Sequence, residues 1–173
     1  VLGQMALGVD AHTQEVAFVA ARQVTYFRPG LYVRHLVPTG TGLKAWLFAA
    51  IKLSTPAFPI AADLEGEVGP ATQALEAEVT GAQRDRLASV VAKLVQHGEA
   101  LNLKKWVTGV DLTADRAGLL MAHDLQTAVT QIRASGDGAT SVPVTERLKE
   151  ILRYSVSQSY FDARCRLGIT VDA

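Results

Sequence analysis

Asp111 and Asp115 stand in the segment VTGVDLTADRAGLLMAHDL, residues 107–125, and Arg116 follows the second acid. Residues four apart share one face of a helix, so a helix here aligns the two carboxylates one turn apart. Leu112, Leu119 and the neighbouring alanines flank the pair, which makes it at most partly solvated. Like charges in that setting need a cation between them, and a buried carboxylate needs either a cation or a metal. The plainer alternative is a solvated helix face with Arg116 as a local ion pair, since charge pairs on helices are usually superficial.

The stretch DLTADRAGLL resembles the third-ligand segment of the HExxH zinc metallopeptidases of the gluzincin class. The nearest resemblance is to the family containing the CAAX prenyl endopeptidase and the heat-shock membrane peptidase. Those enzymes carry a Glu-x-x-Ala-Asp-Arg-like segment downstream of HExxH. The resemblance implies that the zinc-ligand acid falls on Asp111, one carbon shorter than the usual Glu. The supporting Asp-Arg pair then falls on Asp115 and Arg116. The following MAHDLQTAVTQI is similar to the family's next helix. The chain as a whole also resembles peptidase-like helical regions of large bacterial multidomain proteins that carry tetratricopeptide repeats.

A zinc peptidase of this type needs two histidines one helical turn apart, with a Glu after the first as general base. The four histidines, His12, His35, His97 and His123, are scattered and never read HExxH. Set against the family's V-x-x-H-E-x-x-H, the segment VAARQVTY places Arg22 at the first His, Gln23 at the Glu and Tyr26 at the second His. Arginine keeps its proton and cannot ligate zinc, and neutral Gln cannot take a proton from water. The resemblance therefore implies a degenerate, non-catalytic former site made of Arg22, Gln23, Tyr26, Asp111, Asp115 and Arg116, with no metal and no cofactor. In this reading Arg22 supplies the positive charge that zinc would have supplied. It bridges toward Asp111 or Asp115, and Tyr26 adds a hydrogen bond. The alternative is an Arg22 exposed on the first helix.

Other constellations are weaker. A metal-dependent hydrolase with rearranged ligands would draw on His12, His35, His123, Asp111 and Asp115. No Gly-x-Ser-x-Gly surrounds a serine, and PTGTG lacks the Lys-Ser/Thr of a phosphate loop. The segment YFRPGLYVRHLVPT gathers Arg28, Tyr32, Arg34 and His35 around a helix break, the composition of many contact surfaces. These residues are the candidate interaction surface for a protein partner. Trp46 and Trp106 read as core anchors.

The elements that must position these residues are helical throughout. The spacing predicts helices over about 13–27 and 31–36, a third from Thr39 or Thr41 to before Pro56, and a short turn over 63–68. Pro70 is expected to open a separate helix, as proline favours the first helical position. Next comes a helix with Leu87, Val90, Val91, Leu94 and Val95 on its buried face, closed by Gly98. Helices over about 103–123 and from Asp124 onward follow, then the flexible-looking GDGATS, a helix opened by Pro143, and a last one in SQSYFDARCRLG. The expectation is one all-α domain over residues 1–173 of about seven to eight helices, metallopeptidase-core-like.

Composition narrows the function. The 173 residues carry no formal net charge and no basic run, so a nucleic-acid partner lacks its electrostatic footprint. No apolar run reaches the ~20 residues that span a bilayer. The single cysteine, Cys165, makes no internal disulfide, which fits a reducing cytoplasm. The chain begins VLGQM rather than with Met, so a domain excised from a larger protein, or a processed product, is expected. The function expected is a non-catalytic, metallopeptidase-like module for protein interaction or scaffolding. The rearranged hydrolase and a purely structural helical domain are the alternatives.

Overall fold

In the computed structural model, residues 12–96, 102–137 and 140–169 are described. Among them the fold is all-helical. The helices are α1 (Thr13–Thr25), α2 (Tyr32–Leu36), α3 (Gly40–Ser54), α4 (Glu65–Glu78), α5 (Gly81–Gln96), α6 (Leu103–Ala122), α7 (Leu125–Ser135), α8 (Val144–Ser155) and α9 (Gln158–Arg166). No helix among the described residues is long and apolar enough to cross a membrane. The chain groups into two compact units. One comprises Val1–Tyr32 with Lys105–Ala173, and the other comprises Val33–Lys104.

Side-chain caps set several boundaries. Thr39 accepts the Gly42 amide at the start of α3, Asp124 accepts the Gln126 amide at the start of α7, and Ser157 accepts the Tyr160 amide at the start of α9. Each satisfies one of the amides that a helix start leaves without a partner. The α5 start is closed differently: the Gln83 side chain reaches back to the Thr80 amide, half of a capping box. The Asp137 carboxylate reaches across its loop to the Val144 amide at 2.6 Å, which anchors the start of α8.

Three sequence expectations change here. Pro70 does not open a helix but lies inside α4, which runs unbroken from Glu65. Proline removes the amide that would bond the Gly66 carbonyl, yet the helix survives because Leu64, Val68 and Ala71 pack into the core on either side of it. In α5 the buried face is narrower than the periodicity suggests: Val91 is buried, but Val90 is 61% exposed. Residues one apart on a helix face different ways, and only one of the adjacent valines can point inward. His97 and Gly98 lie outside the described residues, as does part of GDGATS. Trp46, expected as a core anchor, is exposed.

The smaller unit packs α3 on α4 through Ala45, Ala49, Leu64, Val68 and Ala71, with Phe48 against them, and α5 also lies against α3. Small residues at Ala45 and Ala49, one turn apart, give a surface on which the neighbouring helix lies close. The other unit buries Phe18, Leu119, Ala122, Ala128, Ile132, Ile151 and Tyr160 in one cluster drawn from α1, α6, α7, α8 and α9. Burial of each large apolar side chain contributes about 1.5–3 kcal/mol. α6 ends at His123, whose φ of +57° is left-handed and whose amide bonds the Leu119 carbonyl.

α1 and α6 approach closely at Gly118. A methyl group there would lie 2.7 Å from the Phe18 ring, whereas nothing lies within 4 Å of one added at Gly109 on the same helix. The two positions should respond with opposite sign. Gly118→Ala is expected to destabilise by about 1–3 kcal/mol through overpacking, and Gly109→Ala to stabilise by about 0.5–1 kcal/mol through helix propensity. Denaturant midpoints of the two variants measure this, and equal shifts would mean that the helices do not approach closely at Gly118.

Candidate functional site

The two acids of α6 are among the most deeply buried side chains of the chain: Asp111 is 0% and Asp115 1% exposed. The reading as a solvated helix face is thereby corrected. Each carboxylate solves its burial differently.

Asp115 sits between two guanidinium groups. Arg22 of α1 donates from Nε to Oδ1 at 2.8 Å. Arg147 of α8 donates from Nε to Oδ2 at 2.7 Å and from Nη2 to Oδ1 at 2.9 Å, a bidentate fork. Its Nη1 donates to the Ser135 hydroxyl at 2.7 Å, and that hydroxyl donates to the Ile132 carbonyl. The Arg147 side chain is fully buried, whereas that of Arg22 is 19% exposed. Planar forks facing a carboxylate make strong, oriented hydrogen bonds.

Asp111 is met by neutral donors as well. Tyr26 donates from Oη to Oδ1 at 3.1 Å, and Ser141 donates its amide and its hydroxyl to Oδ2 at 3.2 and 3.0 Å. Burial is the main cause that pushes the Tyr26 hydroxyl up, to about 12; Arg22 works against the rise, and Asp111 adds to it. A neutral phenol is what Asp111 needs, because only the protonated oxygen donates.

The geometry is a ladder between two antiparallel helical stretches. Phe18, Arg22 and Tyr26 step along α1 and its C-cap four residues at a time. They meet Gly118, Asp115 and Asp111, which step back along α6. Spacings of three and four residues keep each set on one face.

The sequence expectation that Arg22 bridges to an α6 acid left two acceptors open, and in the structure Arg22 bonds Asp115 while Tyr26 bonds Asp111. Arg116 does not pair with Asp115, contrary to the local-ion-pair alternative. Adjacent helix residues point about 100° apart, and Arg116 turns to Glu150 of α8 and lies 5.2 Å over the Tyr154 ring. Gln23 is half-buried on the wall of a cleft that also exposes Arg22. Of the contact-surface candidates, Arg28 and His35 are exposed, and Tyr32 is exposed and stacks with Phe27 at 5.4 Å between ring centroids. Arg34 is instead buried, donating from Nη1 to the Pro38 carbonyl at 2.7 Å, so it braces its own turn rather than offering a contact. Arg147, Ser135 and Ser141 are the residues that sequence reasoning missed.

A zinc ion of the kind the HExxH peptidases hold does not fit these side chains. The oxygens of Asp111 and Asp115 already accept from Tyr26, Ser141, Arg22 and Arg147, and a cation at Asp115 would meet two guanidinium groups. Among the described residues, no three His, Cys, Asp or Glu side chains are grouped to hold a metal ion. His12, His35 and His123 are all exposed, and His123 ends α6. Beside the Asp115 pair lies a cleft of about 230 Å³, lined by Arg22, Arg147, Gln23, Gln131, Ser135 and Phe18 among others. No family model, curated protein or solved structure matches the chain.

Two measurements follow. Removing one member of a buried ion pair strands the other, so Arg147→Ala should cost ~3–5 kcal/mol in urea unfolding. Arg22→Ala should cost clearly less, because water reaches Arg22; equal losses would contradict the inequality of the two arginines. The second concerns alkaline pH. The raised Tyr26 value favours the neutral phenol in the folded state, so its contribution is complete below the ordinary 10.0 and is lost as pH rises through about 12. The wild type should therefore lose more stability than Tyr26→Phe across that window, and parallel stability curves would show that Tyr26 does not titrate high.

Proposed function

We propose that this chain is a non-catalytic, metallopeptidase-like helical module that binds a protein partner, with arginine holding the place where a catalytic metal would sit. The observation that carries the reading is Asp115, whose two oxygens accept three guanidinium N–H donors. A carboxylate that acts as base or ligand must be able to exchange its proton or its partner near the working pH. Asp115 is held by two arginines, and a guanidinium group is a permanent cation. Gln23, beside Arg22, is neutral and is no base. Such a centre fixes the register of α1, α6 and α8 rather than turning over a substrate.

Binding rather than pure scaffolding is supported by the open cleft beside this centre, since concave sites with a few convergent polar groups are where ligands bind. The exposed aromatics Phe27 and Tyr32 on the same unit add a contact surface of the composition found at interfaces.

The test is the metal content of untagged protein purified without chelators, read by plasma mass spectrometry. The expected result is zinc, manganese and iron at background. Near-stoichiometric zinc would falsify the reading and return attention to the rearranged hydrolase with His12, His35 and His123.

A further inference from the structure

We propose that the cleft beside Arg22 and Arg147 binds a carboxylate carried on a small apolar group, the chemistry of a peptide C-terminus or of a short-chain free acid. The proposal rests on the reading of this unit as a binding module and names what the module recognises.

Charge comes first. The residues lining the cleft include two guanidinium groups and no carboxylate. The two arginines share one buried acid, Asp115, which leaves one positive charge in excess at the cleft. Asp111 does not line the cleft, and its oxygens are engaged by Tyr26 and Ser141. The excess suits a monoanion.

Hydrogen bonding points the same way. Arg22 uses Nε for Asp115, and its Nη2 is buried without an acceptor. An ionised donor in that state carries a desolvation penalty that an incoming oxygen relieves. Arg147 is already fixed by Asp115 and Ser135, so little conformational freedom is lost when an anion arrives. Gln131 of α7 adds an amide to the wall.

Size and lining complete the choice. A cleft of about 230 Å³ lies below the ~300 Å³ at which pockets for drug-sized ligands begin. It has no room for a helix or a folded segment, but it holds one residue. Phe18, Val19 and Ala134 provide the apolar part of the wall, and a branched aliphatic group attached to the carboxylate would lie against them.

The probe is N-acetyl-leucine, which presents a C-terminal leucine carboxylate. Its controls are N-acetyl-leucinamide, isovalerate and inorganic phosphate, each titrated into the full chain by heteronuclear NMR with a chelator present. Saturable binding at one site per chain is expected, with the amide weaker by at least about tenfold, as loss of a charge-assisted pair predicts. N-acetyl-leucine tighter than isovalerate identifies a peptide C-terminus as the source, and the reverse order a free acid; both support the proposal. Gln131→Glu places an acid in the cleft wall without touching the Asp115 pair and should weaken binding by about tenfold, even if Arg22 variants fail to fold. Equal binding of acid and amide, equal displacement by phosphate, indifference to Gln131→Glu, or no saturable binding each overturns the proposal. Failure here in a metal-free chain leaves the non-catalytic reading intact, whereas stoichiometric zinc removes that reading by itself.

Discussion

Asp115 is a carboxylate without access to water, and four helices are arranged so that its burial is met by hydrogen-bonded partners. Moving such a group from water into a protein interior costs several kcal/mol even after relaxation. Two guanidinium groups repay that cost, and they come from helices far apart in the chain. α1 must lie against α6 for Arg22 to arrive, and Gly118 permits this by leaving room for Phe18. α8 must lie across α6 for Arg147 to arrive, and the Asp137 cap sets where α8 begins. Ser135, at the end of α7, then fixes the far edge of the Arg147 fork. One buried negative charge thus couples four helices.

Asp111 shows the other solution to the same difficulty. It sits one turn from Asp115 and would suffer from its charge if both lacked compensation. Asp115 takes two guanidinium groups, and the donors that meet Asp111 include a phenol, an amide and a hydroxyl. The value of Tyr26 is raised, and the phenol stays neutral, because burial and the acids beside it outweigh the pull of Arg22.

The consequence for function lies in what this arrangement forecloses and what it leaves open. A network in which every oxygen is claimed is a poor place for proton transfer and a good place for fixing geometry. The second arginine on one acid leaves an excess of positive charge along the cleft wall, the charge that the proposed anion would match. A rigid, charge-matched donor set is what recognition of a small anion requires, and rigidity is what a buried ion pair supplies.

The sequence by itself determined the helical class, since apolar residues recur at helical spacing and Thr39, Asp124 and Ser157 mark helix starts by local hydrogen bonding. It also determined that Asp111 and Asp115 share a face and that Arg22 and Tyr26, one turn apart, face the same way, because these follow from 3.6 residues per turn. A signal for Arg147 was present and went unread: it stands on the apolar stripe of α8 with Val144, Leu148 and Ile151, where a charged residue requires a buried partner. Only the tertiary structure decided which acid each partner takes, that Arg116 turns to Glu150, and that Arg34 braces a turn instead of facing a partner. Val90 and Pro70 were decided there too, because burial of one face and support from a packed neighbour depend on what lies opposite. Periodicity fixes which side chains point the same way, whereas the pairing of a buried charge is set by long-range packing, to which no local spacing refers.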